Sequence, residues 1–466
     1  MIAQNSVLFI EHEHPEYIAK RAMWKQYRDL YVGGEQFRLN ADRYLVRRQK
    51  EPGDVYAERL IRTFYENYIG SIVDWYTATL FRREPVLAFD GENERGKTFF
   101  AEFTEDCDLK GCNLTEFFRK QFVEALICGR SHIVLDFPRA DGSAWTRAEE
   151  DAQGASRAYL VGYAADDLVN WSYDDQGQYE WVVLRTSGLR KQKIEDPVWE
   201  KQTRWVYYDK THFRIFERTD QRGQVSGVEV VAEGRHGMAK QGKVPLIDLR
   251  ISEGLWLLNR AASLQLEHFN KSNALAWALT MGLFAMPVIY SDREWNQVVG
   301  ESYYIQLGPQ DRFGWTEPQG NVYQIAAANL TTLQEEIYRV CYMSQAGGDL
   351  SGAGAQSALS KQMDYAITQE VLRAYGDAVK DSVKRVLRSV NIAREDGLTI
   401  SVSGMDEFDI GDFATDLSDA EGFMRIGINS PTLKRQIFKR LAFKYLSDAR
   451  QQVKDQIARE IDDQVS

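Results

Sequence analysis

The order of elements between residues 254 and 395 constrains the fold of this chain most strongly. A helical pattern of about thirty residues starts at 254 and would span roughly 50 Å if straight. A compact, turn-rich insert follows over 288–325, and a second helix is predicted over 330–344. The segment QAGGDLSGAGAQSA (345–358) has the composition of a flexible loop. A third long helix is then predicted over 359–392.

The end of the first long helix raises the question of a membrane. Residues 272–291 contain no charged side chain, and twenty such residues are enough to cross a bilayer. However, Asn273, Thr280 and Pro287 interrupt the apolar run, which favours a helix buried by protein neighbours. Because one small monomer rarely surrounds a helix completely, a ring of copies would supply those neighbours.

The remaining chain mixes helices and strands and predicts an α+β fold. Helices are predicted over 14–34, 54–81 and 114–130, and SHIVLDF (131–137) reads as a strand. Short strands with polar or glycine turns predict an antiparallel sheet over 159–250. A strand is predicted after residue 398, and Ser430-Pro431 is a typical helix start. The apolar stripe of the third long helix comprises Met363, Ile367, Val371, Tyr375, Val379, Val383, Val386 and Val390.

Composition narrows the class of protein. The chain has 466 residues, 44% of them hydrophobic, which allows sizeable cores. Its formal net charge of −11 lacks the electrostatic footprint of a general DNA binder. The four cysteines form no C-x-x-C pair, so neither a zinc site nor any other metal or cofactor is predicted. The N-terminus lacks a signal-peptide pattern, and a reducing cytoplasm fits best.

One segment matches the spacing of a nucleotide-binding P-loop. In FDGENERGKTFF (89–100), Gly91 is followed after four residues by Gly96-Lys97-Thr98, and Asp136 ends a later apolar run. Two carboxylates, Glu92 and Glu94, oppose phosphate binding in such a loop. The chain also lacks the repeated strand–helix–strand units of a P-loop domain. We therefore interpret the segment as an acidic turn before a helix, with Thr98 as a possible N-cap, and keep the NTPase as the alternative.

Other catalytic patterns are weaker. The carboxylate pairs Asp166-Asp167 and Asp174-Asp175 could form a glycosidase site, but acidic strand turns are usually solvated. No serine or cysteine nucleophile occupies a G-x-S-x-G elbow. The sequence therefore predicts that the chain is not an enzyme.

Five segments, in this order and spacing, resemble the portal proteins (head-to-tail connectors) of tailed bacteriophages. None of them is a catalytic signature. The resemblance covers nearly the whole chain, and the segments that carry it are HPEYIAKRAMWKQYRD (14–29), YAERLIRTFYENYIGSIVDWYTATLFRREP (56–85), EALICGRSHIVLDFP (124–138), VPLIDLR (244–250) and GGDLSGAGAQSALSKQMDYAI (347–367).

The resemblance implies a portal-like division of the chain. It would have an α/β wing at 1–255 with a return strand at 396–415, and stem helices at 256–287 and 326–344. It would also have a clip at 288–325, a tunnel loop at 345–358, a long helix at 359–395 and a helical crown at 416–466. A basic, amphipathic crown segment, 432–446, would face DNA or pack on a neighbouring subunit.

The resemblance also implies function and partners. Portal subunits form a ring, typically of twelve copies, through which double-stranded DNA enters and leaves the capsid at one vertex of the virion. The ring would meet the terminase large subunit, a head–tail adaptor, and the major capsid and scaffolding proteins, with no membrane and with assembly in the host cytoplasm. Another phage structural protein, such as a capsid or baseplate component, is the second alternative.

The resemblance to portal proteins also implies candidate site residues. In the tunnel loop and just after it, DNA contacts are expected from Gln345, Gly347, Gly348, Asp349, Ser351, Gly352, Gly354, Gln356, Ser357 and Lys361. In the clip, contacts to terminase or adaptor are expected from Arg293, Trp295, Arg312 and Trp315. A net-acidic ring with few fixed phosphate contacts would let DNA slide.

Overall fold

A computed structural model describes most of the chain, and its residues group into two compact units. The described residues are 9–138, 157–191, 194, 199–221, 224–225, 227–282, 286–291, 310, 312–316, 320–343, 358–405, 417, 420–422, 424–425, 430–446 and 451–464. The first unit comprises Met1–Gln26, Val73–Trp256 and Gly354–Ser466. The second comprises Tyr27–Ile72 and Leu257–Ala353. The predicted division into wing, stem, clip, tunnel loop and crown stays a prediction.

The described elements form a mixed helix-and-sheet fold, in agreement with the predicted α+β class. The helices are α1 (Pro15–Val32), α2 (Gly34–Leu39), α3 (Gly53–Ile61), α4 (Tyr68–Leu80), α5 (Glu94–Glu105), α6 (Leu114–Cys128), α7 (Leu257–Gly282), α8 (Gly320–Val340), α9 (Ala358–Arg394), α10 (Pro431–Tyr445) and α11 (Gln451–Gln464). The strands are β1 (Val86–Asp90), β2 (Arg130–Asp136), β3 (Tyr159–Tyr163), β4 (Leu168–Tyr173), β5 (Tyr179–Arg190), β6 (Glu200–Asp209), β7 (His212–Gln221), β8 (Gln224–Val225), β9 (Glu229–Arg235), β10 (Leu246–Arg250), β11 (Met286–Tyr290), β12 (Arg312–Thr316) and β13 (Thr399–Ser403).

The first unit is built on antiparallel sheets. Strands β4, β5, β6, β7 and β8 follow one another in a six-stranded sheet, and β9 also pairs with β7. A three-stranded sheet has the order β10-β2-β3, with Ile247 opposite Ile133. The predicted antiparallel sheet over 159–250 is therefore confirmed, although its strands divide between two sheets.

Helices cover the three-stranded sheet because apolar faces meet there. Helix α6 packs against β2, and α9 packs against β10 and β13. The rings of Tyr76, Phe122 and Tyr375 meet edge to face with centroids about 5.5 Å apart. The Tyr375 hydroxyl donates to the Leu255 carbonyl at 2.6 Å, so this buried phenol has a partner.

In the second unit, α7 and α8 form an antiparallel pair beside an aromatic cluster. The Phe37 ring stacks on Tyr65 at 4.1 Å and meets Phe269 of α7 edge to face at 5.0 Å. Phe37 and Phe269 are almost fully buried. The cluster ties the segment containing α2 and α3 to α7 within this unit.

The single helix predicted over 54–81 is wrong: α3 and α4 are separated at residues 62–67. The Asn273 side chain accepts from the Phe64 backbone N–H at 3.2 Å and donates to its carbonyl at 3.0 Å. Asn67 then caps α4 by accepting from the Gly70 N–H at 2.8 Å. Backbone groups that a continuous helix would use are satisfied by side chains instead.

Two further predictions need correction. Helix α8 begins at Gly320, ten residues before the predicted start at 330, because Tyr323 packs on α7 and overrides the turn-like composition. Ile367, assigned to the buried stripe of α9, is 60% exposed, whereas the stripe is buried from Val371 to Val390. The side chain of Met363 lies outside the described residues.

Candidate functional site

The strongest candidate for a functional surface is the hairpin formed by α7 and α8 in the second unit. Three contacts define its register: Arg260 lies over the Tyr342 ring, Lys271 donates to the Asn329 side chain at 2.9 Å, and Tyr323 donates to the Ala278 carbonyl at 3.3 Å. The paired residue numbers sum to about 600 throughout. The helices therefore run antiparallel without slippage over the length of α7, about 40 Å.

A two-stranded ribbon continues the same register. Strands β11 and β12 pair antiparallel, with Met286 opposite Thr316 and Tyr290 opposite Arg312. The ribbon adds about 17 Å to the helical pair. Strand β12 and the last three residues of β11 fall inside the segment predicted as the clip (288–325), whereas Met286 and Pro287 were predicted as the end of a stem helix and lie in β11.

The predicted clip residues are only partly described. Arg312 lies at the end of β12 with an exposed side chain. The backbone of Trp315 pairs with Pro287, and its side chain is outside the described residues. Arg293 and Trp295 lie outside the described residues as well.

The predicted DNA contacts fall almost entirely outside the described residues. These are Gln345, Gly347, Gly348, Asp349, Ser351, Gly352, Gly354, Gln356 and Ser357. Lys361 lies in the first turn of α9, where only the backbone is described.

The hairpin presents an aliphatic ridge and a groove lined by both apolar and polar side chains in the single chain. Val322 and Ile325 of α8 are 61% and 69% exposed. A groove of about 310 Å³, the hairpin groove, is lined by Phe64, Leu275, Leu279, Leu330 and Thr331 around the buried His268. Burial lowers the pKa of His268, and this effect is partly opposed by Glu66 at 3.4 Å.

The end of α7 is only partly covered in the single chain. Residues 274–278 are only half-buried, and Leu279 is 43% exposed. None of the described helices is both long and apolar enough to cross a membrane. The charge-free end of α7 thus has apolar surface that the single chain does not cover.

The segment with P-loop spacing joins the start of α5 to the chain that follows α9. Helix α5 begins at Glu94, between the two glycines, so few residues remain for a loop around phosphate. Asn93, not the predicted Thr98, is the N-cap: it accepts from the Gly96 N–H at 3.0 Å and donates to the Asp396 carbonyl at 3.0 Å. Lys97 pairs with Glu94 at 2.8 Å.

The glycines of this segment have packing roles. A Cβ on Gly91, whose φ is +148°, would meet the Leu398 side chain at 2.8 Å. A Cβ on Gly96 would meet Asp396 and Leu398 at 3.1 Å. β1 pairs antiparallel with β13, whereas a P-loop strand belongs to a parallel sheet. The spacing is therefore explained by close contact with the chain after α9.

The carboxylate pairs considered for a glycosidase include turn caps. Asp174 accepts from the backbone N–H groups of Gln176 and Gln178 and from Lys210, which together hold the pKa of its carboxyl below the usual value. Asp167 accepts from the Ala164 N–H at 2.8 Å. These contacts fix turns between strands.

A buried ionic cluster in the first unit was missed by the sequence analysis. His132 Nδ1 lies 2.7 Å from Asp248 Oδ1, and the Tyr179 hydroxyl donates to Oδ2 at 2.9 Å. Arg250 donates to the same oxygen at 2.6 Å. Burial alone would raise the pKa of Asp248, but His132 and Arg250 hold it well below its usual value.

The cluster cross-links three strands of the first unit. His132 and Asp248 are register partners on β2 and β10, and Tyr179 belongs to β5. No serine or cysteine side chain contacts the His132 ring in the described hydrogen bonds, and its Nε2 is buried without a partner. Among the described residues, no group of His, Cys, Asp or Glu could hold a metal ion.

Comparisons with known proteins give structural neighbours only. No protein-family model matches the chain, and no curated protein matches it. Among solved structures, the chain is similar to one from the "neck of empty GTA particle" with a TM-score of 0.40 and 12% identity, covering 78% of this chain and 87% of that chain. A chain from the "virion of native gene transfer agent (GTA) particle" gives a TM-score of 0.37 at 12% identity, covering 84% and 94%. A chain from the "neck of native GTA particle" gives 0.36 at 13%, covering 86% and 97%.

Proposed function

We propose that this chain is the portal subunit of a tailed phage or phage-like particle. Copies would form a ring at one vertex of the capsid, and double-stranded DNA would pass through its central channel. The order of segments along the chain supports this: a helical hairpin ending in a β-ribbon, then a glycine-rich segment, then the 37-residue helix α9.

The observation that carries the proposal is the exposed apolar surface of the α7–α8 hairpin. The aliphatic ridge and the groove side chains of Phe64, Leu275, Leu279 and Leu330 are exposed or half-buried in the single chain, and apolar surface rimmed by polar residues is typical of a contact with another protein. Copies of the chain arranged around an axis would cover it. The β-ribbon of β11 and β12 would then project from the ring as a docking site for the terminase large subunit and the adaptor.

The proposed ring would guide DNA without catalysing a reaction. DNA must slide without sticking, and a subunit with a net charge of −11 makes few lasting phosphate contacts. ATP hydrolysis would belong to the terminase. We therefore propose that the chain itself is not an enzyme and needs no cofactor.

Native mass spectrometry combined with negative-stain imaging tests the proposal directly. A ring of about twelve copies would weigh roughly 640 kDa, from 53.5 kDa per chain, and would show a central hole as wide as duplex DNA. A ring with a neighbouring copy number would support it too. A stable monomer that hydrolyses ATP would overturn the proposal in favour of the NTPase alternative.

A further inference from the structure

We infer that the hairpin groove of one subunit receives the Val322–Ile325 ridge of a second copy of this chain. The inference rests on the proposed ring and names the surfaces that would join its subunits. The occupant is a second copy because each chain carries both the concave and the convex surface. Neither surface complements itself, so the contact is head-to-tail.

The two surfaces lie on opposite faces of α8. Leu330, Thr331 and Gln334 line the groove from one side of this helix. At 100° per residue, Val322 and Ile325 project roughly 160° away from them. A subunit can therefore offer its ridge to one neighbour while its groove accepts the ridge of the other.

The surfaces also lie at the same height along the hairpin. The Tyr323–Ala278 and Lys271–Asn329 contacts place Val322 level with Leu279 and Ile325 level with Leu275. Leu275 and Leu279 are groove residues. A rotation about an axis along the hairpin can therefore bring ridge to groove without a rise. Rotation without rise closes a ring, whereas a rise would build a filament.

The chemistry of the surfaces matches this contact. The ridge side chains are aliphatic, and the groove wall is made by Phe64, Leu275, Leu279 and Leu330. Glu66 and Gln334 lie at the groove and are polar, as expected where an interface meets solvent. Burial of Val322 and Ile325 would remove from water the two most exposed aliphatic side chains of α8 among its described residues.

Disulfide cross-linking tests the contact. The variant Leu275→Cys/Ile325→Cys should, when oxidised, give a ladder of covalent multimers on a non-reducing gel, up to the ring size. Each single variant should stay monomeric on the same gel, as should the wild-type chain, whose cysteines are buried or half-buried. A single variant that forms dimers would show a two-fold contact and overturn the inference.

A charge variant gives an independent test that does not depend on oxidation. Ile325→Arg should raise the concentration needed for ring assembly at least about tenfold, because it places an unpaired charge in an apolar contact. Ala328→Arg is the matched control, since Ala328 is exposed on α8 between the ridge and groove faces. It should assemble as the wild type does, and circular dichroism should show both variants folded.

The outcomes separate this inference from the proposed function. Wild-type rings together with unimpaired assembly of Ile325→Arg and no cross-linked ladder would overturn the interface alone and would assign the surfaces to another partner. A wild-type chain that never forms rings, at any protein concentration tested up to about 100 µM, would overturn both.

Discussion

At the scale of single residues, the contacts of Asn93 explain why residues 91–98 match the spacing of a P-loop without forming one. Its side chain caps α5 and also holds the backbone at Asp396, 303 residues further along the chain. The buried Arg394–Asp396 pair, 2.9 Å apart, adjoins it, and Arg394 lies over the Phe99 ring at 3.6 Å. The glycine spacing around Asn93 serves this contact and not a phosphate.

We expect Asn93→Ala to destabilise the chain more than Lys97→Ala does. If the segment were a nucleotide site, Lys97 would instead be the residue needed for activity. Loss of the cap and of the bond to Asp396 should cost about 1 to 2 kcal/mol of unfolding free energy. Loss of the exposed Lys97–Glu94 pair should cost less than about 0.5 kcal/mol. Urea denaturation measures both, and an ATPase assay on the same samples should show no activity that depends on Lys97.

Asp248 gives a prediction about pH. Asp248→Asn should lower the unfolding free energy at pH 7 by about 1 to 3 kcal/mol, because Tyr179, Arg250 and His132 lose a charged hydrogen-bond partner while the Arg250 side chain stays half exposed. The folded-state pKa of Asp248 is depressed, so its stabilisation is present above the unfolded value near 4 and is lost as pH falls below it.

The difference between wild type and Asp248→Asn should therefore narrow below about pH 4. Glu58→Gln is the control, since its partner Arg62 and Glu58 itself are both exposed. Its effect should stay within about 0.5 kcal/mol at every pH. A constant difference between wild type and Asp248→Asn from pH 7 to pH 3 would contradict the ionic account.

Little of the candidate site at this scale was predictable from sequence. The His132–Asp248 pair joins residues 116 positions apart, and its signal, a histidine and an aspartate in otherwise apolar strands, becomes specific only once the register of β2 and β10 is known. The exposed ridge looked like part of a turn-rich insert, because the sequence placed the start of α8 too late.

At the scale of elements, Gly376 shows where α9 meets the end of β13. A Cβ at this position would lie 2.2 Å from the Met405 carbonyl oxygen. Helix propensity favours alanine over glycine by about 1 kcal/mol, but close contact with backbone cannot be relieved by a side-chain rotation. Packing therefore outweighs propensity here.

We expect Gly376→Ala to destabilise the chain by about 1 to 3 kcal/mol despite its better propensity. Gly53→Ala, at the first residue of α3 where a Cβ meets nothing within 4 Å, is the matched control and should be neutral or slightly stabilising. Thermal unfolding followed by circular dichroism distinguishes them. Equal melting temperatures for the two variants would contradict the close contact.

Local patterns predicted the elements whose partners are also local or whose faces are clearly apolar. Helices α1, α6 and α9 and strand β2 were predicted to within a few residues, and β13 begins where a strand was predicted. The break between α3 and α4 was not, because it depends on Asn273, 209 residues away, whose side chain bonds the Phe64 backbone. An apolar periodicity that continues through residues 62–67 cannot reveal such a distant hydrogen-bonding partner.

At the scale of the whole molecule, the net negative charge of the chain affects how DNA would pass through the proposed channel. Each chain carries a net charge of −11, so DNA would be repelled by the assembly as a whole. The segment 345–358 has one charged residue, Asp349, and one large apolar residue, Leu350, and otherwise small or amide side chains. If this segment lines the channel, its composition keeps contacts to phosphate few and weak.

Changing that single charge tests the conduit in assembled rings. Asp349→Lys would place about twelve lysines around the channel, so short duplex DNA should bind more tightly by at least about tenfold at 0.15 M salt and with a steeper salt dependence. Asp349→Asn should have a smaller effect, since it removes a charge without adding one. Asp175→Lys, in an exposed turn of the first unit, controls for the change in net charge.

Fluorescence anisotropy with labelled duplex between 0.05 and about 0.3 M salt would measure all three variants. Equal binding by Asp349→Lys and Asp175→Lys would mean that DNA responds only to net charge, and the segment would then not line the path of DNA. Tighter binding by Asp349→Lys alone places residue 349 near phosphate. A position of residue 349 near phosphate, together with the net negative charge of the ring, would explain how the ring confines DNA while letting it move.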